Sequence, residues 1–230
     1  MARVAHEAGI QKAVVTPHMH IGRYENELHS IQAAARTYSA ELKRRHIPLE
    51  ISYAAEVRIC PELADLVERS AVPYLGELQG KKIVLLEFPH SHIPPGSDNM
   101  VAWLLTHGVR PMIAHPERNK DVMRKLDKIV PFVEMGCMLQ VTAGSVVGQF
   151  GPAALQRAQE LLERGWVHVL ASDAHNLHVR RPELEPGRAA AERLIGAEAS
   201  WALVRDTPCA ISESRFSAAD FGTQLQTQTV

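Results

Sequence analysis

The segment KIVLLEFPH, residues 82–90, is a run of aliphatic residues that stops at a glutamate. Four other segments have the same form, a short aliphatic and β-branched run that ends in His, Glu or Asp. They are AVVTPHMH (13–20), EISYAAEVR (50–58), RPMIAHPER (110–118) and WVHVLASDAH (166–175). Apolar runs of this length are typical of strands that are buried on both faces of a parallel sheet. The pattern therefore predicts parallel strands whose last residues carry the chemistry.

Helical segments separate these runs, which favours repeated βα units. We predict six strands, centred near residues 14, 52, 85, 112, 139 and 169, and a weak seventh at Cys209–Ile211. One intervening helix is expected from about Asp121 to Met135, and another from Pro152 to Arg164, with glycine just past its end. Repeated βα units imply parallel strands joined by right-handed crossovers. An α/β barrel is the first interpretation and an open sheet the second.

The composition is that of an ordinary globular domain. The chain has 230 residues, of which 46% are hydrophobic and 22% charged, enough to bury one core. A net charge of −1 argues against a nucleic-acid partner held by bulk electrostatics. The sequence has neither a signal segment nor an apolar run of the roughly 18 residues that span a bilayer. Its three cysteines lie far apart, as expected for a reduced compartment. These features predict a soluble, cytoplasmic protein without membrane insertion.

The residues at the predicted strand ends have the chemistry of metal ligands. Six of them qualify: His18, Glu56, Glu87, His115, Asp173 and His175. In a barrel of parallel strands, the carboxyl ends of all strands meet at one mouth, so residues distant in sequence can converge there. Imidazole and carboxylate without thiolate is the ligand set of catalytic zinc, manganese or iron. A single histidine at a strand end is more often structural, and we assign His168 to that class and leave His20 outside the set.

The motifs at these strand ends resemble a known family. They are TPH (16–18), AEVRI (55–59), LLEFP (85–89), AHPER (114–118) and SDAHN (172–176). In order and spacing they are similar to the PHP metallophosphatases, named for polymerase and histidinol phosphatase. The most similar branch contains the manganese-dependent protein-tyrosine phosphatases of bacterial capsule and exopolysaccharide operons. The resemblance covers residues 1–215 and implies a distorted (β/α)7 barrel with a trinuclear metal site; residues 216–230 are expected to form a flexible tail.

The resemblance also implies roles for individual residues. Glu56 resembles a carboxylate that bridges two metals, and Glu87 and His115 match further ligands of one of them. Asp173 matches a ligand of the other bridged metal, and His18 and His175 match ligands of a third. Arg118 and Arg181 match the arginines that hold the substrate phosphate. The implied cofactors are divalent ions, with manganese first and zinc or iron as alternatives.

One departure from the family pattern concerns the first strand. Family members begin with a strand that carries a His-x-His pair and then a glycine-rich loop with a further aspartate. This sequence opens with MARVAHEAGI, which corresponds to the helix after both features. We therefore expect the first strand of the barrel to be missing from this chain and the true start to lie upstream. A degraded barrel is the alternative.

The resemblance implies a function for the chain. The expected activity is metal-dependent hydrolysis of a phosphomonoester. The expected substrate is a phosphotyrosine protein, the tail of a bacterial tyrosine kinase of capsule or exopolysaccharide biosynthesis. One alternative is a truncated, catalytically weak barrel that acts as a binding module. Another is a PHP phosphatase of a small-molecule phosphate, such as a sugar phosphate or histidinol phosphate. The sequence leaves assembly into a homo-oligomer open.

Overall fold

A computed structural model describes residues 1–216 of the chain, and all statements on its architecture refer to them. The strands are β1 Lys12–Val15, β2 His18–Met19, β3 Glu50–Tyr53, β4 Glu56–Arg58, β5 Gly76–Leu78, β6 Lys81–Glu87, β7 Val109–Ala114, β8 Met138–Thr142 and β9 Val169–Ala171. The α-helices are α1 Ala2–Glu7, α2 Leu28–Arg44, α3 Leu63–Glu68, α4 Ser97–Thr106, α5 Lys120–Arg124, α6 Val130–Glu134, α7 Ala143–Val146, α8 Pro152–Glu163, α9 Glu185–Ile195, α10 Ala197–Trp201 and α11 Thr207–Phe216. Short 3-10 helices span Pro116–Arg118 and Leu126–Lys128, and a π-helix spans Ala202–Asp206. The tail expected at 216–230 lies, except for Phe216, outside the described residues.

The strands form a mostly parallel sheet. Its order is β2-β4-β6-β7-β8-β9, with every neighbouring pair parallel, and β5 lies antiparallel beside β6. The β1–β3 pair continues this sheet, since Ala54 N donates to Val15 O and Glu56 N donates to Pro17 O across the interruption. The predicted α/β class with parallel strands is thus confirmed, and the six predicted strands correspond to β1, β3, β6, β7, β8 and β9.

The two faces of the sheet bury different sets of residues. Along β6, Leu86 joins the large core that includes helix residues such as Leu104. Its neighbour Leu85 points to the opposite face and packs in a second cluster with Met112 and Met138. Side chains alternate along a strand, so Glu87 lies on the same face as Leu85, one pleat nearer the carboxyl end. The second face, called here the inner face, therefore carries the acidic residues.

Two predicted elements are wrong. Cys209–Ile211, the weak seventh strand, lies in α11, where Pro208 occupies the first turn and needs no N–H partner. Ile211 is buried because this helix packs it against the inner-face cluster. Its apolar character therefore reflects helix packing and not a strand. The single helix predicted over 121–135 is broken into α5, a 3-10 turn and α6. Lys125 has an extended backbone there, and Pro131 cannot donate to a continuing helix.

Candidate metal and phosphate site

The carboxyl ends of the strands bring two histidines and two glutamates together on the inner face. His18 and Glu56 are register partners in β2 and β4, and Glu87 ends the adjacent β6. One ligand atom from each of these three residues lies within 4.8 Å of those of the others. His115, the residue after β7, places Nε2 3.0 Å from Oε1 of Glu56 and 4.0 Å from Oε1 of Glu87. We call these four residues the carboxylate cluster.

The two glutamates are buried and in electrostatic conflict. Burial raises the pKa of Glu87, and the nearby Glu56 carboxylate raises it further, against the opposing charge of Arg58. Burial also acts to raise the pKa of Glu56, but the hydrogen bond and charge of His115 hold it below its usual value. One carboxyl is thus held ionised while its neighbour is pushed towards protonation. A cation between them would remove this conflict, which makes the pair suited to a divalent metal.

A second group of charged residues adjoins this cluster. Oδ2 of Asp173 forms an ion pair with Nη2 of Arg118 at 2.7 Å and accepts a hydrogen bond from Nη2 of Arg180. Nδ1 of His175 lies 3.6 Å from Oδ1 of Asp173. The rings of His175 and His18 are 6.0 Å apart between centroids, which connects the two groups. The six residues that the sequence predicted as ligands therefore form one continuous set.

Two of these residues have a strained backbone. His115 has φ 36° and Asp173 has φ 46°, both in the left-handed region that residues other than glycine rarely adopt. The surroundings hold His115 in place, because its N–H donates to Gln140 O at 2.8 Å and its carbonyl accepts from Arg118 N at 3.0 Å. Non-glycine residues with positive φ cluster at functional sites, where the strain is offset by neighbouring structure. Both residues lie just past the ends of their strands, His115 in the carboxylate cluster and Asp173 beside Arg118 and Arg180.

The predicted arginines are placed differently from one another. Arg118 lies inside the site, whereas Arg181 pairs with Glu183 at 2.8 Å and is half-exposed. Arg181 lines an adjacent cavity of about 310 Å³, together with Ser172 and Val179. The contact with Asp173 is made instead by Arg180, which the sequence analysis did not select. Two adjacent arginines in a loop without periodicity gave no signal for choosing between them.

A further arginine was also missed. Arg58 donates a hydrogen bond from Nε to Oε2 of Glu87 at 3.0 Å, and its Nη2 lies 2.9 Å from the same oxygen as an ion pair. It follows Glu56 by two positions in a strand, and this spacing puts two side chains on the same face, so the AEVRI motif contained the signal. His20, left outside the ligand set, pairs through its backbone with Tyr24 and is absent from the group of three ligands whose atoms converge among the described residues.

Comparison with known proteins identifies similar chains. Residues 1–213 match the family described as capsular polysaccharide synthesis, CpsB/CapC. The tyrosine-protein phosphatase YwqE of Bacillus subtilis is 33% identical over 207 residues, which cover 90% of this chain and 80% of YwqE. The tyrosine-protein phosphatase CpsB of Streptococcus pneumoniae is 27% identical over 213 residues, covering 89% and 85% of the two chains. A crystal structure from a study of YwqE and CpsB, described as unique metal-dependent tyrosine phosphatases, matches with a TM-score of 0.85 at 30% identity. That match covers 94% of this chain and 85% of the solved one.

Proposed function

This chain belongs to the CpsB/CapC family of capsular polysaccharide synthesis, and we propose that it is a metal-dependent phosphatase of phosphotyrosine in proteins. The observation that carries the proposal is the convergence of His18, Glu56 and Glu87, whose ligand atoms lie within 4.8 Å of one another. Similar chains are tyrosine-protein phosphatases, and their solved structure is described as metal-dependent. The enzyme class follows from that family, and the cluster supplies a place for the metal.

The donor set fits divalent metal ions. Proposed ligands are His18, Glu56, Glu87, His115, Asp173 and His175. They offer imidazole nitrogens and carboxylate oxygens and no sulfur, a set that suits manganese, zinc or iron. Manganese is the metal we propose, with zinc and iron as alternatives. When bound, such ions supply positive charge to the phosphoryl group and make a hydroxide nucleophile accessible near neutral pH.

The arginines of the site would bind the substrate. A planar guanidinium donates two parallel hydrogen bonds to phosphate oxygens, so Arg118 can both attract and orient the phosphoryl group. We propose that Arg118 acts with either Arg181, as the family resemblance expects, or Arg180, which shares Asp173 with Arg118. Arg58 contacts Glu87 and holds that carboxylate in the cluster. Charge fixed in this way stabilises the transferring phosphoryl group without reorganisation during the reaction.

The proposal also includes the substrate protein and the compartment in which it is met. We propose that the substrate is the tail of a tyrosine kinase of capsule or exopolysaccharide synthesis, encountered in the cytoplasm. Among residues 1–216, no helix combines the length and apolar character needed to cross a bilayer. The (β/α)7 form of the barrel, its extent over 1–215, and a first strand missing from this chain also remain predictions. Assembly into a homo-oligomer remains open.

Substrate discrimination tests the proposal. The manganese-loaded chain is incubated with a phosphotyrosine peptide, the matching phosphoserine peptide and a sugar phosphate, and released phosphate is measured. We expect the phosphotyrosine peptide to react at least about 100-fold faster than the other two, a difference of roughly 2.7 kcal/mol in transition-state binding. Asp173→Ala serves as the inactive control.

Two other outcomes identify the alternatives. Faster release from the sugar phosphate would replace the proposal with a small-molecule phosphatase. Release no faster than that of Asp173→Ala, together with retained binding of the phosphotyrosine peptide, would indicate a binding module.

A further inference from the structure

One aromatic ring lies beside both arginines that hold Asp173. Phe150 is a half-buried residue in the loop between α7 and α8. The Cζ atom of Arg118 lies 4.7 Å from the centroid of its ring, and that of Arg180 lies 5.9 Å away. Both distances are within the range in which a cation is attracted to the electron-rich face of an aromatic ring. Phe150 therefore contacts the two guanidiniums together.

The two guanidiniums still have donors to offer. Each uses Nη2 on the same oxygen of Asp173. The Nε atom of each is buried and has no hydrogen-bond partner among the described residues. Buried N–H groups are normally satisfied, so each exception calls for an explanation, such as a catalytic role or an ion that binds there. Each arginine therefore keeps one charged donor that makes no hydrogen bond and that a bound anion could use.

This arrangement needs a component that keeps like charges together. Arg118 and Arg180 carry two positive charges and share one oxygen of Asp173. A second carboxylate, that of the buried Glu117, lies 4.0 Å from Nε of Arg118, which is beyond hydrogen-bond distance. Repulsion between the arginines would favour conformations in which one of them turns towards solvent. The negative face of the Phe150 ring offsets this repulsion and adds no charge or hydrogen-bond acceptor that would compete with an incoming anion.

We propose that Phe150 is a positioning residue for phosphate binding, holding Arg118 and Arg180 in the orientation that presents their free donors. The inference rests on the proposed function, since it assumes that the anion is the phosphoryl group of the substrate. Phe150 acts through the arginines. Its removal should therefore weaken the binding of phosphate and raise KM while leaving the metal ions in place.

The chain contains a matched control for this contact. Trp201 lies in α10 and also has two arginines over its ring, Arg188 at 4.5 Å and Arg205 at 5.5 Å. Neither of these arginines pairs with Asp173; their partners include Glu185, Glu192 and Asp206. Trp201→Leu removes the same kind of interaction outside the site. It reports what loss of packing and stability alone does to phosphate binding.

The test measures phosphate binding without turnover. Inorganic phosphate is titrated by calorimetry into the manganese-loaded full chain, and metal content is measured on the same samples. We expect Phe150→Leu to weaken phosphate binding by on the order of 10-fold, because two cation–π contacts are lost. Metal content should be unchanged. Phe150→Tyr, which keeps the aromatic face, should bind within about 2-fold of the wild type, and so should Trp201→Leu.

Three results would overturn the inference: unchanged phosphate affinity in Phe150→Leu, an equal loss in Trp201→Leu, or loss of metal together with phosphate. If Phe150→Leu does not fold, fluorinated phenylalanines at position 150 replace it, because they keep the ring shape and weaken its negative face. Phosphate affinity should then fall with each added fluorine, and a constant affinity would count against the proposal. Failure of the proposed function would appear separately, as a wild type that binds phosphate but does not release it from a phosphotyrosine peptide.

Discussion

At the residue scale, the site is defined by carboxylates that the protein buries close together. Glu56 and Glu87 are 5% and 7% exposed, and an ionised carboxylate in such surroundings is costly unless it is paired. His115 and Arg58 supply part of the compensation, yet burial and mutual repulsion still raise the pKa of Glu87. Without a further cation, the negative charge of these two buried carboxylates is only partly compensated. The cluster is better explained by metal binding than by stabilisation of the fold.

The arginines give a prediction at this scale. Arg118→Ala should weaken phosphate binding by about 30- to 1,000-fold, which corresponds to roughly 2–4 kcal/mol for a charge-assisted bidentate contact. Arg180→Ala should have a larger effect than Arg181→Ala, because Arg180 shares Asp173 with Arg118 whereas Arg181 pairs with Glu183. Equilibrium binding of phosphate to the three manganese-loaded variants measures the order.

The same variants can contradict this account. If Arg181→Ala loses more affinity than Arg180→Ala, the assignment from the family motif is right and the one from geometry is wrong. If Arg118→Ala loses metal as well as phosphate, Arg118 has a structural role.

The sequence predicted which residues converge better than it predicted their contacts. His, Glu and Asp at the ends of apolar runs could be recognised because strand ends converge in a parallel sheet. The choice between Arg180 and Arg181 depends on how the loop after β9 turns, and that turn begins at Asp173 with φ 46°. Aspartate tolerates this conformation better than most residues, but its presence does not reveal that the conformation is adopted.

At the element scale, strands such as β6, β7 and β8 were predictable because they are buried on both faces. Parallel strands of this kind appear as continuous apolar runs, and all six predicted strand positions fall within observed strands. The short antiparallel β5 has the sequence GEL, which contains no such run, so it was not predicted. The apolar residues at 209–211 belong to α11, because Ile211 is buried from a helix against the inner face. Burial alone does not distinguish a short strand from a helical turn.

The packing of α11 against β5 gives a second prediction. A Cβ atom at Gly76 would lie 1.9 Å from the carbonyl oxygen of Ile211, and the residue has φ 148°. Gly76→Ala should therefore push α11 away and lower the free energy of unfolding by at least about 2 kcal/mol. Gly80→Ala is the control, since Gly80 has φ 72° but no atom within 4 Å of an added Cβ. Chemical denaturation should show a clearly larger loss for Gly76→Ala; equal losses would mean that the contact with α11 is unimportant.

His168, which precedes β9 and accepts a hydrogen bond from Leu139 of β8, gives a prediction on pH. Burial lowers the pKa of His168, with a further contribution from Arg110, below the usual value of 6.5. The unfolded chain therefore binds this proton more readily than the folded one, so stability is lost as the pH falls below about 6.5. His168→Asn keeps an acceptor for the Leu139 N–H but cannot be protonated in this range.

The comparison is made by urea denaturation in a chelator, so that metal binding adds no pH dependence. Between pH 7.5 and pH 5.5 the wild type should lose more stability than His168→Asn. If the free energy of unfolding falls equally in the two proteins over this pH range, His168 is protonated equally in the folded and unfolded chains.

At the scale of the whole molecule, one sheet assembles a site from residues spread along most of the chain. His18, Glu56, Glu87, His115 and Asp173 come from or directly follow different strands, and the parallel topology is what brings them together. The family match extends over residues 1–213, a range that contains the entire set. The proposed function therefore requires that this set binds metal and that the metal is needed for hydrolysis.

Metal-dependent release of phosphate from a phosphotyrosine peptide tests that claim most directly. The chain is stripped of metal with a chelator and then titrated with manganese, beside Glu56→Gln and the control Glu77→Gln, an exposed residue of β5. We predict no release above background without metal, and recovery in the wild type and in Glu77→Gln. Release by Glu56→Gln should be about 100-fold slower at the same manganese concentration. Hydrolysis that persists after metal removal, or equal rates for Glu56→Gln and Glu77→Gln, would contradict the account.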